Sequence, residues 1–231
     1  MDRPEIRDRL TEVRTEELAL AAKIIGYDEV LHLGYRDSGM PDTEPNHHPA
    51  AFVNADPETA LERVVAIIRS RRPEVVLGYD EHKRYPHPDH VRIHDLGLAA
   101  FDAAADPHRF PEAGPPWEVA RLYAPVFTAR RLRTLHEAME ERGMESPFTE
   151  WLDRIDDADD EDHTITSVEV TATIERGRDA LRAHATQVDP DGFWFRVPVE
   201  VAVQAYPFED FRLLAGRSPV PGEATDLFAG L

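Results

Sequence analysis

Between the Arg72-Pro73 break and Gly78 the chain runs Glu74-Val75-Val76-Leu77, with three apolar residues in a row and no polar alternation. A strand with one solvated face alternates. A continuous apolar run suits a strand covered on both faces, as in parallel sheets. The flanking segments agree with this. Asp56-Pro57 supplies a helix N-cap and an N1 proline ahead of Leu61, Val64, Val65 and Ile68, which recur at helical spacing. Pro88 heads a second such stretch, with Val91, Ile93, Leu96, Ala100 and Phe101 as its apolar positions. Helix, buried strand and helix make up the unit from which α/β sheets are assembled.

The alternation continues along the chain. Residues 11–26 read as a helix closed by Gly26, and VLHLGY (30–35) as a short strand. VARLYAPVF (119–127) reads as a strand, 129–142 as a helix, 147–155 as a short helix, TITSVEVT (164–171) as a strand and 172–188 as a helix. The expected fold is α/β, with a Rossmann-like, mostly parallel sheet flanked by helices. It is expected to fill residues 1–215 as a single domain, leaving 216–231, rich in Pro, Gly and small residues, as a flexible tail.

Composition narrows the function. The 231 residues carry a formal net charge of −19, which argues against nucleic acid and against an anionic membrane surface as partners. There are no cysteines, so disulfides, a thiolate nucleophile and a cysteine-ligated zinc are excluded, and any zinc must be held by His, Asp or Glu. No apolar run approaches a membrane span and the N-terminus has no signal-peptide core, so a cytoplasmic location is expected. The acidic run 156–163 lacks the glycine and spaced ligands of an EF-hand loop and reads as a solvated loop.

The chemistry concentrates in YPHPDH, Tyr85 to His90, directly after the buried strand. Ligands in open α/β sheets bind beyond the carboxyl ends of the strands, which is where this loop lies. With Pro88 as N1, His87 precedes the helix and His90 falls in its first turn. One imidazole can then bind a metal while the other donates a proton or a hydrogen bond. The competing reading makes His87 a helix cap and His90 an ordinary surface histidine. His94, one turn on, and His47-His48, in a proline-rich loop, read as solvated.

The run VVLGYDEHKRYPHPDHVRIHDL resembles the second zinc motif of the de-N-acetylase superfamily that acts on N-acetylglucosaminyl-inositols. LGYRDSGMP, WEVARLY, ESPFTEWLDR and LRAHATQVDPDGFWFRVP resemble, within it, the mycothiol S-conjugate amidases. The resemblance implies a zinc-dependent amidase, with Fe2+ as a possible alternative metal, acting in detoxification. Its substrate would be a small-molecule thiol-sugar conjugate, split to a mercapturic acid and glucosaminyl-inositol. A related N-acetylglucosaminyl-inositol deacetylase and a catalytically inactive relative are the alternatives. The resemblance also implies the roles: His90 a metal ligand, His87 the oxyanion stabiliser or general acid, Tyr85 its assistant, and Asp37 a ligand of sugar or inositol hydroxyls. Gln187, polar at a helix end within the HATQV stretch, is the further candidate for substrate contact, with Phe193, Trp194 and Phe195 as a cleft wall or as core anchors.

The family's N-terminal His-Pro-Asp-Asp motif, source of two further zinc ligands and the general base, is not found in these residues. The sheet is accordingly expected to lack its first strand, and the 231-residue chain alone to hold little zinc, to be inactive and to be poorly soluble. His82-Lys83-Arg84, bulky where relatives have a Gly-containing turn, is expected to alter the cleft.

Overall fold

A computed structural model describes residues 9–81, 85, 87–153, 163–222 and 224–231. The helices are α1 (Leu10–Ile25), α2 (Pro57–Arg71), α3 (Pro88–Ala105), α4 (Ala129–Glu140), α5 (Thr149–Leu152), α6 (Ile174–Ala183) and α7 (Val199–Ala205). The strands are β1 (Val75–Leu77), β2 (Arg121–Val126), β3 (Ile165–Glu169) and β4 (Phe208–Gly216). Local chemistry sets several ends. Gly26 closes α1 at φ +93°, a conformation that suits glycine, and its N–H returns to Ala22 O. The Asp56 carboxylate accepts from Thr59 N–H at the head of α2, and Thr128 accepts from Arg131 N–H at the head of α4.

The chain divides into two compact units. The first contains residues 32–126, 162–168 and 209–231 and carries the sheet, in the order β1-β2-β4-β3. β1 and β2 are parallel, with Val76 opposite Leu122, and α3 lies in the crossover between them. β2 and β4 are antiparallel, with a register shift between Leu122 and Tyr123. Thr164 O accepts from Leu213 N while Ser167 Oγ meets Asp210, so β3 and β4 also run in opposite directions. Leu61, Val65 and Ile68 of α2 pack with Ala100, Phe101 and Ala104 of α3 and with Leu122 of β2. The Arg69 side chain is buried in this core and donates to the carbonyls of Ala103, Ala104, Asp106, Arg109, Phe110 and Gly114. These six acceptors close the end of α3 and shape the following loop. Arg121 does the same for the C-terminal residues, donating to the carbonyls of Ser218, Pro219, Leu227 and Ala229.

The second unit contains residues 1–31, 127–161 and 169–208. Leu132, Leu135 and Met139 of α4 pack with Phe148, Val201 and Tyr206. α1 packs on α6, and Glu17, buried on α1, accepts from Thr186 N–H and Oγ just beyond α6.

The α/β class is as expected, and within it the sheet is mixed rather than mostly parallel. The reason is β4, which returns antiparallel between β2 and β3. Its pattern hides it, because Asp210 and Arg212 are buried yet polar. Asp210 accepts from Ser167 Oγ, and Arg212 pairs with Glu81. VLHLGY forms no ladder: Gly34 takes φ +78° within it, and Arg36 makes only an isolated bridge to Ala51. The helix read over 172–188 spans only Ile174–Ala183, and hydrogen-bonded turns on His184 O follow it. No described helix is long and apolar enough to cross a membrane. The acidic run up to Asp162 and the His82-Lys83-Arg84 segment lie outside the described residues.

Candidate active site

The site grows from the carboxyl end of β1 and the start of α3, both in the sheet-bearing unit. His87 is the N-cap of α3, and its Nδ1 accepts from Asp89 N–H at 3.2 Å. A nitrogen that accepts there holds its lone pair toward the helix, so the ring proton of a neutral His87 sits on Nε2. Cap and chemistry are therefore compatible: the cap selects the tautomer that presents an N–H outward. His90, in the first turn of α3, is half-buried rather than a surface residue, with its ring centroid 5.0 Å from that of His87. Tyr85 is 52% exposed, and its ring centroid lies 6.1 Å from that of His87 and 5.6 Å from that of His90.

Asp37 joins this group through a loop. Its Oδ1 accepts from Gly39 N–H, an Asx-type turn. Gly39 takes φ +61°, and a Cβ there would meet Thr43 Oγ1 at 2.9 Å, so the turn requires glycine. Ser38, fully buried, donates its N–H to Asp89 Oδ2 and accepts Val53 N–H on its hydroxyl. Asp89 thus braces the Asp37 loop against the head of α3. Its other oxygen, Oδ1, is buried and has no hydrogen-bond partner among the described residues. Asp37, His87 and Asp89 each offer a donor atom within 4.8 Å of the others, a set of hard oxygen and imidazole donors that suits a divalent cation such as zinc or iron(II); His90, expected from the sequence to be the metal ligand, is not one of these three.

Two residues outside the sequence-derived set belong here. Tyr79, just past β1, stacks on His90 with centroids 4.5 Å apart and planes 10° apart. Burial holds its phenol above the ordinary tyrosine value. His94 is half-buried rather than solvated, and its Nδ1 lies 2.9 Å from Tyr79 O. Helical i,i+4 spacing puts His94 on the face of His90, but nothing local in the sequence links either to Tyr79. His47 and His48 do not join the group. Gln187 lies in the other unit, exposed, with its Nε2 3.5 Å from His184 Nδ1. Phe193 packs into that unit's core, T-shaped to Phe148 and stacked on Trp151, while Trp194 stays exposed.

Residues 1–101 match the family model described as GlcNAc-PI de-N-acetylase. The chain is 37% identical over 236 residues to a mycothiol S-conjugate amidase of Streptomyces coelicolor, covering 98% of this chain and 79% of that protein. It is 40% identical over 232 residues to a 1D-myo-inositol 2-acetamido-2-deoxy-alpha-D-glucopyranoside deacetylase of Geodermatophilus obscurus, covering 97% and 79%. Among solved structures it is similar to a conserved protein of Thermus thermophilus, with TM-score 0.56 and 22% identity over 91% of this chain and 76% of that one. An N,N'-diacetylchitobiose deacetylase of Pyrococcus horikoshii superposes with TM-score 0.55 and 16% identity over 89% and 64%. The two superpositions agree with the α/β fold described above.

Proposed function

The chain belongs to the GlcNAc-PI de-N-acetylase family, and from that premise we propose that it is a metal-dependent amidase of mycothiol S-conjugates. Water adds across the amide that joins an S-substituted N-acetylcysteine to glucosaminyl-inositol. The C–N bond breaks, leaving a mercapturic acid and a free amine. The observation that carries the reading is His87, capping α3 through Nδ1 beside two carboxylates and a second imidazole at the carboxyl end of β1.

When bound, a divalent zinc or iron ion supplies Lewis acidity and a hydroxide at neutral pH. His90 is assigned as a metal ligand from this chain, and the buried Asp89 Oδ1 is an oxygen for which a cation would compensate. His87 points its Nε2 proton at the carbonyl oxygen as negative charge develops there. The cap requires a lone pair on Nδ1, so the neutral ring keeps the geometry, which favours oxyanion stabilisation over proton delivery. Tyr85, exposed beside both imidazoles, is the second donor within reach of that oxygen. Asp37 accepts from polyol hydroxyls while its turn fixes its direction.

The deacetylase reading has its own support in the relative that is 40% identical. A bimane conjugate of mycothiol and N-acetylglucosaminyl-inositol, assayed side by side on the metal-loaded protein, separate the two. Preferential cleavage of the conjugate is expected, and turnover of the acetyl sugar alone would overturn the amidase assignment.

A further inference from the structure

The rings of Tyr79, Tyr85 and His87 lie beside His90, and they hold it in different ways. The rings of His87 and Tyr85 are inclined to it by 39° and 56°. Tyr79 lies nearly parallel, at 10° and 4.5 Å, so its face covers one face of the imidazole. The backbone that carries Tyr79 is itself tied down on both sides. Gly78 N–H donates to Tyr123 O, extending the β1–β2 pairing by one residue, and Tyr79 O faces His94 Nδ1 at 2.9 Å. A carbonyl only accepts, so His94 Nδ1 carries a proton and donates it. His94 and His90 sit one turn apart on α3. One helix thus presents two imidazoles to one tyrosine, His94 gripping its main chain and His90 receiving its ring.

We propose that Tyr79 and His94 are positioning residues that fix the plane of the His90 ring. This rests on the reading of His90 as a metal ligand. An imidazole binds a metal along its nitrogen lone pair, in the ring plane, so a rotation of the ring swings the ligand atom off the metal. A hydrogen bond to a ligand's distal nitrogen restrains that rotation at one point; a stacked ring restrains it over the whole face. Tyr79 adds an apolar cover on that side, and the His94 contact keeps the cover from sliding along the strand.

Nuclear magnetic resonance of the histidine-labelled full chain, with His90 assigned through His90→Asn, tests the clamp without metal. The His90 ring protons are expected upfield, shielded by the Tyr79 face. Tyr79→Phe should keep that shift and Tyr79→Leu should abolish it. His94→Ala should move the signal in the same direction as Tyr79→Leu, and His94→Asn, whose amide can replace the Nδ1 donor, should restore it. In a zinc competition with a chromophoric chelator, Tyr79→Leu and His94→Ala are expected to weaken binding by about 10–100-fold, with both conservative variants near the parent. An unshifted His90 signal and unchanged zinc affinity in Tyr79→Leu would overturn the proposal. So would equal losses in Tyr79→Phe and Tyr79→Leu, which would make the hydroxyl rather than the stack responsible. A His90→Asn variant that binds zinc as tightly as the parent, while the spectra follow the expected pattern, would remove His90 from the ligand set and leave the clamp standing.

Discussion

Two regions of this molecule are rich in rings, and they are built on opposite principles. Around His87 and His90 the rings stand among polar groups joined by directed bonds: Asp89 to Ser38, Asp89 N–H to His87, and His94 to Tyr79. In the other unit Phe127, Phe148, Trp151, Phe193 and Trp194 meet edge to face, tilted or stacked, with centroids 5.4 to 6.4 Å apart. There the order comes from apolar area and shape. The first region holds individual atoms in chosen directions, as chemistry requires. The second supplies bulk, in which many small contacts share the load. A substitution in the first should therefore tell on rate, and one in the second on stability.

The largest effect expected is on turnover. In an enzyme with its full set of metal ligands, His87→Ala should lower kcat by about 10²–10⁴-fold with metal content retained, and His90→Ala should lose metal and activity together. Equal metal loss in both, measured by elemental analysis, would break the division of labour between the two imidazoles. Phe148→Ala, in the aromatic region, should cost about 3–5 kcal/mol in a denaturant titration and leave kcat unchanged under conditions where the protein stays folded. A fall in kcat to match would break the contrast between the regions.

Ser38→Ala probes the bracing. It leaves Val53 N–H without its acceptor in a part-buried place, a cost of about 1–3 kcal/mol at most. It should also raise KM for the sugar moiety more than it lowers kcat, because the Asp37 loop is what Ser38 anchors. The smallest effect is expected outside both regions. Asp56, capping α2, has its carboxyl held below the ordinary carboxylate range, chiefly by the Thr59 backbone N–H and then by the Thr59 hydroxyl. A depressed folded value means stabilisation that is present above the unfolded-state value and lost as pH falls through the folded one. Asp56→Ala should therefore lower Tm at neutral pH, by an amount that shrinks on acidification, with kinetics unaffected.

Much of the helical framework is legible locally. Asp56-Pro57, Pro88 and Gly26 each act through their own backbone geometry, and the elements they bound begin or end where that geometry predicts. The YPHPDH loop is legible for the same reason, since its prolines and the following apolar spacing place both imidazoles at the head of a helix. VLHLGY misleads because strand propensity produces a strand only when a neighbouring strand accepts its hydrogen bonds. β4 escapes notice for the converse reason. Asp210 and Arg212 look like solvent-facing residues until Ser167 and Glu81, distant in sequence, are found beside them.

By itself, then, the sequence determined where α2 and α3 start and where α1 stops, that His87 and His90 meet at the head of α3, and that any zinc must be held by oxygen and imidazole donors. These are matters of residues a few positions apart and of side-chain chemistry. Only the tertiary structure decided that β4 runs through the middle of a mixed sheet, that Arg69 is buried among six carbonyls, and that Tyr79 lies flat on His90 under the grip of His94. Burying a polar group is costly unless a partner meets it, and the partners here come from distant parts of the chain.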